Sequence, residues 1–416
     1  MKGTEINTEF KRSCLICEAD VVPALDFGEQ PLANSLLSTR SERFEKYALG
    51  FSYCPRCSHG QLSGFVAPEL LFDDYIYASG TSNTLKEYFA WFSRRLKKQY
   101  GEGLRVLELA CNDGSLLDAL AEEGVVVMGI DPAANLCRVA ASKGHTIRCG
   151  YFPNIDLAGT FDCIIAMNVL AHNPDPAGFM AGVADRLDPE GVVIIQTSQV
   201  TMLKSGEFDT IYHEHYSFFT LESMRQLAER CGLIVEHVEV VSVHGNSLLV
   251  HLRHRAADRA ERLPATDPAF LVPEGAIEFL STLNEEERIK RAYAEFVSLA
   301  KQRMAEVASA VRRYREQGCK IALVGVAAKA LTFIGAAGLE FDGSYDEAPL
   351  KIGKYIPGFD SPIQGFEKIG ELGDDVLVVI GAWNFAAEIG AKVRRLNPDT
   401  NITFLKYFPK LEIFSR

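Results

Sequence analysis

Short apolar runs alternate with stretches of helical periodicity along most of the chain. A helical pattern over Thr84–Gly101 precedes apolar runs at Arg105–Leu109, Val125–Ile130, Phe161–Met167, Gly191–Thr197, Leu233–Val241 and Ser247–Arg253. Strands separated by helical segments predict parallel pairing through right-handed crossovers. A charged stretch at His254–Arg262 reads as a linker. Two long amphipathic helical patterns follow, the second with Val297, Ala300, Met304, Val307 and Val311 on one side. The last third repeats the α/β texture, with strands expected at Ile321–Gly325, Val376–Gly381 and Ile402–Leu405. The first 70 residues differ, being turn-rich with short strand-like pieces. Three domains are therefore expected, at 1–70, 71–255 and 256–416, in an α/β chain with two nucleotide-binding-type sheets.

Composition narrows the function. The 416 residues carry a formal charge of −12, which argues against a nucleic-acid footprint but leaves anionic small molecules open, because a few backbone amides and one or two Lys can hold a phosphate. The longest apolar runs are under ten residues, against the ~20 needed to span a bilayer as a helix. Met1–Glu9 is polar, without the apolar core of a signal peptide, so a cytoplasmic protein with no membrane partner is expected.

Four of the ten Cys form two pairs, Cys14/Cys17 and Cys54/Cys57, separated by 36 residues. Each C-x-x-C can turn two sulfurs toward one ion, and four thiolates suit tetrahedral Zn²⁺ with no open position. A structural zinc site is expected, stabilising a segment too small for a substantial core. Disulfides or a redox pair are the alternative, disfavoured in a reducing compartment. The other six Cys read as inert core thiols.

Arg105–Leu117 reads as a strand, a small-residue turn and a helix start, without the G-x-G-x-x-G fingerprint of dinucleotide sites. Glu108 ends the strand and suits a cationic cofactor portion such as the amino group of S-adenosylmethionine. Asp131 ends the next strand 23 residues later, before Pro132, where an acid accepts hydrogen bonds from ribose hydroxyls. The arrangement resembles motif I of class I methyltransferases, with Ala110, Asn112 and Gly114 in the G-x-G-x-G slots. An ordinary strand–helix turn is the plain alternative.

Tyr212, His213, Glu214, His215 and Tyr216 stand in succession. If extended, they would place Tyr212, Glu214 and Tyr216 on one face and the two His on the other. A second zinc site or a solvated loop are alternatives. Here the chain looks like the S-adenosylmethionine-dependent sugar C-methyltransferases acting on nucleotide-linked deoxy-keto sugars. Its marks are Cys14-x-x-Cys17, Asp26–Asn34, Cys54-x-x-Cys57, Tyr75–Ser79, Glu108–Gly114, Asn168–His172, Ile211–His215, Val243–Ser247, Lys351–Gly358 and Ala382–Asn384. Departures from the family pattern fall at Gly325–Ala330, Gly245–Asn246 and Gln196–Gln199, where substrate would lie.

The resemblance implies a class I methyltransferase Rossmann-like core, a small N-terminal zinc-binding domain and a second Rossmann-like C-terminal domain, with the sugar nucleotide between the last two. It implies S-adenosylmethionine and structural Zn²⁺ as cofactors and an expected dTDP-linked substrate. By resemblance His215 is the general base, oriented or assisted by Glu214 and Tyr212, while Tyr77 and His172 hold the keto sugar. Asn168 lines the cofactor; Tyr75, Ser79, His244, Asn246, Lys329, Lys354 and Tyr355 are expected near substrate. Lys329 also reads as an exposed helix-start lysine, and His244 as a residue satisfying a backbone carbonyl. An O- or N-methyltransferase and a non-catalytic nucleotide-binding scaffold are the rival functions. A monomer or small homo-oligomer is expected.

Overall fold

The computed structural model describes residues 9–73, 75, 78–198, 201–257, 267–272 and 275–415. A seven-stranded sheet runs in the order Leu233–Val241, Ser247–His254, Leu187–Thr197, Phe161–Met167, Arg105–Leu109, Val126–Asp131 and Thr146–Cys149. The last five are parallel, as the helical spacers require. Leu233–Val241 and Ser247–His254 depart from the parallel expectation: they pair antiparallel, and Ser247–His254 also pairs antiparallel with Leu187–Thr197. Only residues 242–246 join the first two, too few for a crossover, so the chain can only fold back as a hairpin.

Helix Asn83–Tyr100 covers one face, started by Ser82, whose side chain accepts from the Leu85 amide. Its buried Tyr88, Trp91 and Phe92 join Val106, Ile165 and Ile194 of the sheet.

The last third forms a six-stranded sheet ordered Ile363–Gln364, Gly343–Tyr345, Lys320–Val324, Asp375–Ile380, Asn401–Lys406 and Glu412–Phe414, parallel except for the final strand. In both sheets the chain order reverses beside a central strand, and the crevice outside the strand ends there is where such folds bind ligands.

The two amphipathic patterns give unequal helices. The first is only Gly275–Ser281, ended by turn bonds from Thr282 to Phe279 and Leu283 to Leu280. The second, Glu286–Glu316, has 31 residues and buries Ala300, Val307 and Val311, with Val297 and Met304 packed at the edge. Its Tyr293 stacks on Tyr53 at 4.3 Å and donates to the Ser58 carbonyl at 2.7 Å, bracing the cysteine-bearing end.

At that end lies a four-stranded antiparallel sheet of Val22–Gln30, Tyr47–Tyr53, Gly60–Leu62 and Ser217–Phe218. The last strand comes from far along the chain, directly after the His-Glu-His cluster. No described helix is long and apolar enough to cross a membrane.

Candidate active site and metal centre

The two C-x-x-C turns are built alike. The residue after each, Glu18 and Ser58, has a left-handed backbone (φ 63° and 54°), and the turns close through Cys14 N to Ala19 O and Cys54 N to His59 O, each 2.8 Å. They bring Cys14 Sγ to 3.5 Å from Cys57 Sγ and Cys17 Sγ to 3.4 Å from Cys54 Sγ, all four sulfurs lying within 4.8 Å of one another. A tetrahedron of ~2.3 Å Zn–S bonds has edges of about 3.8 Å. The donor set therefore fits Zn²⁺. Crowding drives the acidities apart: Cys14 is pushed up to about 12 by its hydrogen bond with Cys54, whereas bonds from Cys14 and Cys57 hold Cys54 far below the usual thiol range. A divalent cation takes all four as thiolates. With every position filled by protein, the centre is structural.

The cofactor loop leaves strand Arg105–Leu109 with left-handed backbone at Ala110 (φ 53°), Asn112 (φ 53°) and Gly114 (φ 78°). These are the three glycine slots of motif I. Asn tolerates this conformation, while Ala carries a steric cost of about 1–2 kcal/mol, so the loop geometry survives replacement of two glycines. Asp131 holds the loop closed: Oδ2 accepts from Asn112 N and Oδ1 from Ala133 N, both at 2.8 Å. Pro132 lies between the two anchored ends. Glu108 is buried with Oε2 unpartnered among the described residues, and burial, followed by the charges of Asp131 and Asp113, holds its carboxyl well above the usual range. Asn168 (φ 57°) likewise buries an unpartnered Oδ1 at the end of strand Phe161–Met167. A cationic, donor-rich group satisfies both atoms, and S-adenosylmethionine carries an ammonium and a sulfonium. The residues fit it.

A covering segment closes over this loop. Ser79 N donates to Asn112 Oδ1 and Gly80 N to Asp113 Oδ2, each at 2.9 Å. Tyr75 spans two sites: its carbonyl accepts from Asn135 Nδ2 at 2.9 Å, and its hydroxyl donates to Glu214 Oε2 at 2.9 Å. Tyr77 lies outside the described residues.

The His-Glu-His segment is not extended. His215 N bonds to Tyr212 O at 2.9 Å, making a turn that stacks Tyr212 against His215 with ring centres 4.1 Å apart. The expected alternation of faces is thereby overturned, because a turn puts residues three apart on the same side. His215 Nδ1 lies 2.7 Å from the Thr210 carbonyl. A carbonyl only accepts, so Nδ1 carries the proton and the lone pair is on Nε2, 3.0 Å from the Tyr212 hydroxyl. His172 approaches edge-on at 4.7 Å, with a buried Nδ1 that has no partner among the described residues. Burial pushes His215 well below the usual imidazole value, with His172 and Lys329 adding to it, and burial takes His172 down to about 4. Both rings are neutral near pH 7.

Glu214 turns elsewhere, its carboxylate receiving Asn34 Nδ2 at 2.5 Å as well as Tyr75, with burial pushing it up to about 7. His213 is held on the Tyr47 carbonyl at 3.2 Å, a fold contact and not a ligand of a second metal.

Lys329 begins helix Ala328–Ala337, directly outside the switch point of the second sheet. Its ammonium lies 4.5 Å from the Trp383 ring centre and 3.4 Å from Asn384 Oδ1. The Trp383 ring under this ammonium bonds to Asp209 and lies against Gly245, so loops of the two sheets meet here. His244 (φ 53°) and Asn246 (φ 74°) form the hairpin turn beside it. Lys354 and Tyr355 show a different association: Tyr355 exchanges both backbone hydrogen bonds with Leu37 at 2.9 Å, tying this loop to the N-terminal end.

Sequence reading did not single out Asn34, Glu207, Asp209, Trp383 or Lys351. Asn34 and Trp383 lie in segments that mark the family, but nothing local pairs Asn34 with a residue 180 positions away. The second sheet also repeats the carboxylate clip: Asp346 accepts Val326 N and Ala348 N, both at 2.8 Å, as Asp131 does in the first. There Lys351 Nζ caps the clip, 2.8 Å from Val326 O and 3.2 Å from Asp346 Oδ2.

Comparisons with known proteins match three family models in series: a zinc binding domain at residues 14–72, a methyltransferase domain at 81–238 and a C-methyltransferase C-terminal domain at 242–409. The C-methyltransferase NovU of Streptomyces niveus is 31% identical over 392 residues, covering 90% of each chain. A ubiquinone biosynthesis O-methyltransferase of Rhodopseudomonas palustris is 33% identical over only 101 residues, 23% of this chain and 40% of that one. Among solved structures, the PH0226 protein of Pyrococcus horikoshii covers 46% of this chain and 97% of its own, with 18% identity and a TM-score of 0.37. With the three domain models in order and one relative aligned nearly end to end, the chain belongs to the S-adenosylmethionine-dependent C-methyltransferases.

Proposed function

We propose that this enzyme methylates the carbon beside the ketone of a nucleotide-linked deoxy-keto sugar, the nucleotide being dTDP, through an enolate. The observation that carries the reading is a neutral imidazole, His215, whose tautomer is set by Thr210 O and whose Nε2 lone pair faces Tyr212, with His172 of the cofactor domain 4.7 Å away.

A carbon beside a ketone is not nucleophilic until it loses a proton. His215 Nε2 takes that proton by way of the Tyr212 hydroxyl, which passes its own proton to Nε2 as it receives the one from the breaking C–H bond. His172 and Tyr77 hold the ketone and stabilise the enolate oxygen. S-adenosylmethionine supplies an electrophilic methyl group, for which Glu108, Asp131 and Asn168 provide the binding contacts. Lys329 and the His244–Asn246 turn receive the anionic nucleotide portion, while Lys354 and Tyr355 meet substrate from the separate loop tied to Leu37. In this reading residues 1–70 form the zinc-bearing domain, 71–255 the cofactor domain and 256–416 the sugar-nucleotide domain, acting in the cytoplasm as a monomer or small homo-oligomer.

His215→Gln tests it. Solvent deuterium exchange at the carbon beside the ketone, followed without S-adenosylmethionine, is expected in the wild type and lost by a factor of about 10²–10⁴ in the variant. Exchange at the wild-type rate in the variant removes His215 as base. A product methyl bonded to oxygen or nitrogen removes carbon methylation of this substrate.

A further inference from the structure

Between the two sheets lies a contact that the mechanism above leaves unused. Trp383, in the loop after strand Asp375–Ile380, donates its indole N–H to Asp209 Oδ2 at 2.7 Å across the interface. Both residues are buried, and Asp209 Oδ1 is buried without a partner among the described residues. The indole meets three parts of the crevice at once. Lys329 lies over its face at 4.5 Å, Asp209 takes its N–H, and a Cβ on Gly245 would stand 3.3 Å from its Cη2, leaving the His244–Asn246 turn against its far edge.

Asp209 in turn stands one residue before Thr210, whose carbonyl fixes the His215 proton on Nδ1. The short turn between them is rigid. Ile211 N bonds to Phe208 O at 2.9 Å, Thr210 Oγ1 donates to Glu207 O at 3.1 Å, and Phe208 stacks on Phe27 at 5.6 Å and Phe333 at 5.1 Å. Elements from the zinc-bearing end and the C-terminal domain thus converge on residues 208–210, immediately before the catalytic turn. Packing alone would seat Phe208. The buried hydrogen bond from the indole adds a directed constraint on Asp209, one residue before the carbonyl that receives the His215 proton.

We propose that Asp209 and Trp383 are positioning residues that transmit the seating of the sugar nucleotide against Lys329 to the tautomer of His215. The anionic portion of the substrate draws on the same ammonium that lies over the indole, so binding there and orientation of the Thr210 carbonyl share one side chain. This rests on the function proposed above and adds that the C-terminal sheet sets the base as well as binding nucleotide.

The test uses the full-length, zinc-loaded enzyme and three variants. Trp383→Phe keeps an aromatic ring but removes the N–H and the outer edge of the indole; Asp209→Asn keeps an oxygen that accepts the N–H; Asp209→Ala removes the acceptor. The expected result for Trp383→Phe and Asp209→Ala is at least a tenfold slower deuterium exchange beside the ketone, with KM for a dTDP-linked keto sugar changed less than threefold. Asp209→Asn is expected within threefold of the wild-type exchange rate. Nitrogen-15 chemical shifts of the His215 ring read the tautomer directly: Nδ1–H in the wild type and Asp209→Asn, a mixture in Trp383→Phe. Should Asp209→Ala fail to fold, Trp383→Phe and Asp209→Asn still decide the matter. Wild-type exchange and an unchanged ring tautomer in Trp383→Phe overturn the proposal, as does an Asp209→Asn variant as slow as Trp383→Phe. A wild type that shows the Nδ1–H signature yet exchanges no proton instead refutes the proposed function, so the two failures are distinguishable.

Discussion

Glu214 offers a quantitative check on the electrostatics of the site. Its carboxyl is buried and held by Asn34 and Tyr75, and burial raises it from the ordinary 4.5 to about 7, outweighing the two hydrogen bonds. Because the folded-state value lies above the unfolded one, the folded protein binds more protons than the unfolded chain between pH 4.5 and 7. Stability attributable to this group is full below that window and is lost as pH rises through it. At 1.36 kcal/mol per pKa unit, the loss is about 3 kcal/mol. Glu214→Gln is neutral at every pH and keeps an oxygen for Asn34 and a polar atom for Tyr75. The variant is therefore expected to lie within about 1 kcal/mol of the wild type at pH 5 and to exceed it by about 3 kcal/mol at pH 8.5. For a chain of this size melting cooperatively, that corresponds to roughly 3 °C in Tm. Differential scanning calorimetry of both proteins at the two pH values reads the difference directly. A Tm difference that does not change between pH 5 and pH 8.5 would show that the buried carboxyl does not titrate in this window.

Further outcomes follow from other parts of the structure. Gly80→Ala would place a Cβ 2.5 Å from Asp113 Oδ2 and 2.6 Å from Ser115 Oγ, displacing the cover from the cofactor loop. Calorimetry is expected to show S-adenosylhomocysteine binding at least tenfold weaker, about 1.4 kcal/mol, and unchanged affinity would mean that the cover does not shape the cofactor site. Asp131→Ala removes the acceptor of both the Asn112 and Ala133 amides, and should weaken the same ligand by about tenfold or more in the same titration. Stripping zinc with a chelator, or Cys54→Ser, is expected to abolish methyl transfer. The metal-bearing sheet pairs Gly60–Leu62 with Ser217–Phe218, two residues beyond His215. Full activity of a protein shown by elemental analysis to be zinc-free would refute that link.

Much of the local architecture follows from patterns a few residues long. Strand Arg105–Leu109, the turn through Ala110, Asn112 and Gly114, and the acid ending the next strand are determined by hydrophobic runs, by small or αL-tolerant residues and by spacing, all local properties of the chain. The two C-x-x-C turns are equally local, and only their convergence on one centre is tertiary. The shape of the 212–216 segment was not legible in this way. Alternation of faces presupposes an extended backbone, whereas adding Ser217–Phe218 to the zinc-bearing sheet and seating Phe208 among Phe27, Phe333 and Phe408 bend the intervening residues into a turn. That turn, and not the order of side chains, puts Tyr212 on His215 and sends Glu214 to Asn34 and Tyr75.

The partners of the site are further apart still. Asn34 meets Glu214 across 180 residues and Trp383 meets Asp209 across 174, contacts that no periodicity encodes because they depend on how separately built sheets dock. Local sequence therefore determined which chemical groups this enzyme carries and which elements present them. Docking of three hydrophobic faces decided which groups touch, and through burial how acidic each one is, since desolvation depends on what lies around a side chain and not on its neighbours in the chain.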